Sequence, residues 1–143
     1  MSESIMSLHY DVCADDFKAA GEASSDVKNK LKVMGFPPDI VRRGAIAMYE
    51  GEINMGIHAN GGEITVDITM DEIIIVLKDV GPGIKDIDKA MEAGYSTASD
   101  HIRSPGFGAG MGLPNMKKCS DEMKIDTKIG VGTTVTLVIK LHA

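Results

Sequence analysis

The chain has 143 residues, a formal net charge of −6, 43% apolar and 25% charged residues. That size and balance suit a single domain spanning residues 1–143 with one core, and exclude disorder, a collagen-like fibre and a mucin-like stalk. The acidic charge without a basic cluster argues against direct nucleic-acid binding, and the absence of Trp against a base-stacking platform.

The longest near-continuous apolar run, Ile73 to Leu77, is far shorter than the roughly 18 to 20 residues of a membrane helix. The start of the chain, MSESIMSLHY, lacks a basic segment followed by an apolar one, so the expectation is a soluble protein in the cytoplasm. Cys13 and Cys119 have no Cys or His neighbour at zinc spacing and read as reduced, partly buried thiols.

In chain order, Ile5 to Val12 reads as a strand, although its alternation is loose. Phe17, Ala20, Ser24, Val27, Leu31 and Met34 step by three and four, predicting an amphipathic helix from an N-cap at Asp15 or Asp16 to Met34. Gly35 stops it. Pro37-Pro38-Asp39 opens a second helix that runs to about His58, where Asn60-Gly61-Gly62 breaks it. Residues 63–69 alternate, and the run Ile73 to Leu77, ending at Lys78-Asp79, reads as a more deeply buried strand; the two predict an antiparallel hairpin. A short helix follows over about Lys85 to Ala93. Residues 94–112 carry five glycines and no periodicity, which predicts a functional loop. Leu113 to Ser120 reads as helix, and Met123 to Lys128 and Thr133 to Leu141 as a last hairpin through Gly130 and Gly132. Strands in antiparallel neighbours with helices singly and in pairs predict an α+β, two-layer sandwich with a mostly antiparallel, mixed sheet and the helices on one face.

Three features carry candidate chemistry. Glu50, Asn54 and His58 fall at i, i+4 and i+8 along one side of the second helix, with Glu50 and Asn54 about 6 Å apart along its axis. Alone, that spacing also describes a solvated helix face. Asp79-Val80-Gly81-Pro82-Gly83-Ile84 sets a carboxylate at a strand end before glycines that admit a flat ligand, and it reads equally as a turn. Gly106 to Leu113, GFGAGMGL, leads a glycine loop into a helix, an arrangement that favours phosphate or serves as a hinge.

Taken in order, with the Gly132-Thr133-Thr134 of the last hairpin, these features resemble the N, G1, G2 and terminal threonine boxes of the GHKL nucleotide-binding superfamily, from about residue 37 onward. Within it, Glu50-x-x-x-Asn54-x-x-x-His58-Ala59, Gly94 to Thr97 and Gly112 to Ile125 look most like the bacterial anti-sigma and switch serine kinases, which phosphorylate STAS-domain antagonists. Histidine kinases commonly carry Asn at the position of Glu50, and nothing here supplies their phosphoacceptor domain.

The resemblance implies a Bergerat-type ATP site using ATP and Mg²⁺. Asp79 would accept the adenine amine, with Gly81 and Gly83 admitting the base and Thr133, or Thr134 in its place, near the carboxylate. Asn54 would be the metal ligand. Gly108, Ala109, Gly110, Met111 and Gly112 would line the phosphates, and Glu50 would be the catalytic base. Arg103 is a candidate for the basic residue that some relatives bring to the terminal phosphate.

The implied function is an ATP-dependent protein serine kinase acting on a STAS-domain antagonist in a sigma-factor or partner-switching pathway. The alternatives are a nucleotide-gated module that sequesters a sigma factor or activator, and an ATPase subunit of another complex. A homodimer is left open.

Overall fold

The computed structural model describes residues 4–13, 21–58, 60–84, 91 and 112–142. They form β1 (Met6–Cys13), α1 (Glu22–Val33), α2 (Pro38–His58), β2 (Gly61–Ile68), β3 (Glu72–Asp79), α3 (Gly112–Cys119), β4 (Glu122–Lys128) and β5 (Gly132–Lys140). The five strands make one sheet in the order β1-β2-β3-β5-β4, antiparallel at each described pairing. This is the α+β, two-layer arrangement expected from the alternation, with a sheet more uniformly antiparallel than anticipated.

The core lies between the helices and one sheet face. Ile64, Val66 and Ile68 of β2, Ile73, Ile75 and Leu77 of β3, and Val135, Leu137 and Ile139 of β5 point inward. Val27 and Leu31 of α1, Val41, Ala47, Met48 and Met55 of α2, and Met116 of α3 close over them. Burying a side chain of this size contributes roughly 1.5 to 3 kcal/mol, so this layer rather than helix propensity holds the three helices down. The Ile73–Leu77 run is buried on one side only, since Ile74 and Val76 are half-buried on the opposite face. No helix among the described residues is long and apolar enough to cross a membrane.

Two expected boundaries shift. β1 runs one residue later than read, and its inward residues are Met6, Leu8, Tyr10 and Val12, not Ile5 and Ser7. The first helix starts at Glu22, not near Asp15, because Gly21 is its N-cap with φ 93°, a left-handed conformation that no helical residue adopts. The Asp15 and Asp16 caps, Phe17 and Ala20 lie outside the described residues. Gly21 has no side chain to cap the helix. Glu52 of α2 does so instead: its Oε2 accepts the Ala23 N–H and its Oε1 the Ser24 N–H, each at 3.2 Å. The carboxylate is 5% exposed, and its charge lies at the positive end of α1.

Cys119 is buried and Cys13 is exposed, so only the first fits the partly buried thiol expected; both are free.

Candidate functional site

The second helix faces the third along a register that repeats every turn. Gly112, which opens α3, lies against the Asn54 side chain. One turn further on, Asn115 comes near Glu50 and acts to lower its pKa. At the end of α3 the Cys119 carbonyl accepts Arg43 Nε–H at 3.0 Å, and Arg43 also reaches Asp121 Oδ2 at 3.1 Å. The two helices therefore run in opposite directions with residues 54, 50 and 43 meeting 112, 115 and 119. Glu50 and Asn54 thus share one side of α2, as their spacing requires, and that side is occupied by α3 rather than by solvent.

A Cβ added at Gly112 would stand 2.9 Å from Asn54 Oδ1 and 3.0 Å from its Cγ, with Nδ2 closer still. Only glycine lets the start of α3 approach the carboxamide this closely. Glu50 is half-buried, and burial pushes its carboxyl above the usual carboxylate range while Asn115 opposes the shift. A carboxylate made more basic by burial, beside a neutral amide, has the properties of a general base.

Asp79 ends β3 and is the focus of a second cluster. Its Oδ1 accepts the Thr133 N–H at 2.8 Å, and no other hydrogen bond to this carboxylate is formed among the described residues. Burial raises its pKa, and the Thr133 hydrogen bond works against that rise. Thr133 is buried and its Oγ1 lies 2.9 Å from Thr127 Oγ1, whereas Thr134 is half-buried on the other sheet face. Of the two threonines, Thr133 is the one beside Asp79.

Glycines make this close approach sterically feasible. A Cβ at Gly132 would meet the Asp79 carbonyl and stand 3.1 Å from Asp79 Oδ1; at Gly83, with φ +81°, it would stand 2.7 Å from the Lys128 carbonyl. The 79–84 turn is thereby laid on the β4–β5 hairpin, with Gly81 N–H donating to Val131 O at 3.2 Å and Ile84 N–H to Thr127 Oγ1 at 2.8 Å. The two clusters meet through α2. Met55, next to Asn54, packs over Gly62, the cross-strand partner of Asp79, where a Cβ would be 2.7 Å from the methionine methyl.

These placements suit the groups an adenine nucleotide would present. Among the described residues one Asp79 oxygen has no donor, and the cradle at Gly112 beside Asn54 is one that any side chain would fill. Gly108, Ala109, Gly110 and Met111, Arg103, the helix expected over Lys85 to Ala93 apart from Met91, and the loop up to residue 111 lie outside the described residues, as does the His58 side chain. Two positions that join α2 to the other helices were missed in the sequence. Asn115 has no motif, because its role follows from the α2–α3 register; Glu52 reads as one more helix acid until its partners on α1 are known.

Comparison with known proteins agrees with the fold. Residues 53–143 match the family profile described as histidine kinase-, DNA gyrase B-, and HSP90-like ATPase. Asn54, Asp79 and Thr133 fall inside that range and Glu50 just before it. The chain is 32% identical over 115 residues to the serine/threonine-protein kinase RsbT of Bacillus subtilis, covering 78% of this chain and 80% of that one. It is 33% identical to the anti-sigma F factor of Clostridium acetobutylicum over 97 residues, 64% of each chain. Among solved structures, the RsbU and RsbW domains of Rv1364c from Mycobacterium tuberculosis share the fold with a TM-score of 0.62 at 15% identity, over 94% of this chain and 32% of that one. The mycobacterial sensor histidine kinase MprB does so with a TM-score of 0.52 at 16% identity, over 94% and 97%. The family profile covers more than half of the chain and RsbT most of it, and on those grounds the protein belongs to the histidine kinase-, DNA gyrase B- and HSP90-like ATPases.

Proposed function

We propose that the protein is an ATP- and Mg²⁺-dependent protein serine kinase that modifies a STAS-type antagonist in a partner-switching pathway. The observation that carries this reading is the half-buried Glu50 one helical turn before Asn54, on the side of α2 where Asn54 lies against the glycine that opens α3. A module that only holds nucleotide has no need of a basic carboxylate at that point.

In this reading Asp79 takes the adenine amine on the oxygen that Thr133 leaves free, and Gly81 and Gly83 keep the turn flat against the base. Asn54 offers a neutral oxygen to Mg²⁺, which supplies charge neutralisation of the phosphates. Gly108, Ala109, Gly110, Met111 and Gly112 contribute backbone N–H groups to them. Glu50 accepts the proton of the attacking serine hydroxyl, a contribution typically worth about 10² to 10⁴ in rate. The name of RsbT as a serine/threonine kinase supports the reaction class.

The second reading, a nucleotide-gated module that sequesters a sigma factor, is favoured by the anti-sigma F factors among the relatives. Labelled ATP with recombinant STAS-domain and sigma proteins from the same genome separates the two. Transfer of label to a STAS-domain serine, reduced about a hundredfold in Glu50→Gln with ATP affinity retained, is the expected result. Tight binding of a sigma factor without transfer to any of them would replace the kinase with the binding module.

A further inference from the structure

We propose that Thr127 is a positioning residue for base recognition: its hydroxyl, held by the Ile84 N–H, donates to Thr133 Oγ1 and so commits the Thr133 hydroxyl to donate beside Asp79. The inference rests on the reading of Asp79 as the adenine acceptor, and adds a residue of β4 that no motif marks.

Thr127 and Thr133 stand directly opposite each other in the β4–β5 ladder. On the same face Met123 and Ile125 precede Thr127, and Val135, Leu137 and Ile139 follow Thr133; all five belong to the core or pack against it. The apolar stripe turns polar at this pair, where two valines of nearly the same shape would have continued it. A hydroxyl at the margin of a core costs free energy unless it is hydrogen-bonded. Thr127 Oγ1 accepts the Ile84 N–H at 2.8 Å and lies 2.9 Å from Thr133 Oγ1, so both hydroxyls have a partner. The same oxygen ties Ile84, at the end of the 79–84 turn, to the hairpin that carries Thr133.

The direction of the bond between the two hydroxyls follows from their neighbours. A hydroxyl has one proton to give and two lone pairs to accept with. With the Ile84 N–H on one lone pair of Thr127, the Thr127 proton has one acceptor among the described residues, Thr133 Oγ1. Were the bond reversed, that proton would lack an acceptor among them, and Thr133 would turn only lone pairs toward a carboxylate that also offers only lone pairs. Donation from Thr127 leaves Thr133, 6% exposed, to give its own proton on the side away from β4, on the residue whose N–H holds Asp79 Oδ1 at 2.8 Å. The site then shows an acceptor and a donor together. Adenine answers both, since its amine is a donor with a ring-nitrogen acceptor on either side; guanine carries a carbonyl in the place of the amine.

Thr127→Val removes the hydroxyl and keeps the shape, whereas Thr127→Ser keeps the hydroxyl; Thr127→Ala is a second hydroxyl-free variant should the valine not fold. Calorimetry compares Mg²⁺-ATP with 1-deaza-ATP and 7-deaza-ATP, each of which has C–H in place of one ring nitrogen beside the amine. In wild type one of the two analogues should bind about tenfold more weakly than ATP, as expected for one lost hydrogen bond. In the hydroxyl-free variants the gap between ATP and that analogue should shrink to about twofold, and Thr127→Ser should keep it. Loss of the Ile84 anchor weakens all three nucleotides by one factor, so the gap reads the hydroxyl and not the turn. In a Thr133→Val background, Thr127→Val should leave the gap unchanged, because the two act as one unit. A tenfold gap that persists in the hydroxyl-free variants overturns the proposal, as does a wild type that binds ATP and both analogues alike. Asp79→Asn separates the two levels. If it weakens ATP while the hydroxyl-free variants keep the gap, Thr127 alone loses its role; if it binds ATP as wild type does, Asp79 is not the adenine acceptor and both readings fall.

Discussion

Gly112 and Asn54 occupy space that no larger pair could share, since a Cβ at 112 would lie 2.9 Å from Asn54 Oδ1 and 3.0 Å from Cγ. The metal-binding reading of Asn54 can therefore be tested without touching Asn54. Gly112→Ala adds one methyl group in the first turn of a helix, where alanine is favoured over glycine by up to about 1 kcal/mol, so the melting temperature should hold or rise. The carboxamide must rotate away, and Mg²⁺-ATP affinity by calorimetry should drop about tenfold. Unchanged affinity in the alanine variant would detach Asn54 from the metal.

For Asp79, the relevant loss is of a charged acceptor. Asp79→Asn keeps the shape and can still accept the Thr133 N–H, but the amide turns donors toward the amine of adenine. Nucleotide binding should weaken by more than tenfold, in line with the roughly 1.5 to 3 kcal/mol of a hydrogen bond to a charged group. Guanine nucleotides, which bind poorly to a carboxylate acceptor at that position, should lose less.

The strands could be read from sequence because their signal is local. Ile64, Val66 and Ile68 alternate, as do Val135, Leu137 and Ile139, and each set faces one core. The Pro38 start and the His58 end of α2 are set by residues within a turn of the boundary. The start of α1 was misplaced because its cap comes from Glu52, some thirty residues along the chain, and a search for a nearby Asp or Ser cannot find a donor-satisfying group on another helix. Glu50 and Asn54 were read from their i, i+4 spacing on one side of a helix, and Asp79 from its place at a strand end before Gly81 and Gly83. Asn115 was not, since nothing in LPNMKK says which residue of α2 it will meet.

Removing the Glu52 cap should cost stability and leave chemistry alone. Glu52→Ala strands two N–H groups at the start of α1 in a buried setting, a loss of about 2 to 3 kcal/mol measurable by urea denaturation. Glu52→Gln should recover part of it, because the amide can accept from one of the two N–H groups while presenting its NH₂ to the other. A Glu52→Ala variant as stable as wild type would show that α1 needs no cap.

Asp121 sets an acid limit of its own. The Lys140 backbone N–H, donating to Oδ2 at 2.7 Å, and then Arg43 hold its carboxyl below the usual value of 3.8. A carboxylate lowered in the fold contributes stability that is present in full above its unfolded value and is lost as pH falls through the folded one. Asp121→Asn should therefore be less stable than wild type near pH 7, by no more than about 1 kcal/mol given its solvent exposure, and the two should converge as the pH falls through the lowered carboxyl value. A gap that persists in acid would assign the effect to shape rather than charge.

Within a single turn, α2 engages the rest of the fold on three sides. Glu50 and Asn54 face α3, Glu52 faces α1, and Gly51 sits on the sheet, where a Cβ would collide with Leu77 Cδ2. An inserted or deleted residue anywhere between Pro38 and Glu50 rotates that turn by about 100° and breaks all of these contacts together. Length changes in the first half of α2 should thus be purged in any library of functional variants, even where each added residue is a good helix former. At the four positions themselves, substitutions should fail for different reasons: 51 and 52 by loss of folded protein, 50 and 54 as well-folded chains that no longer act on ATP.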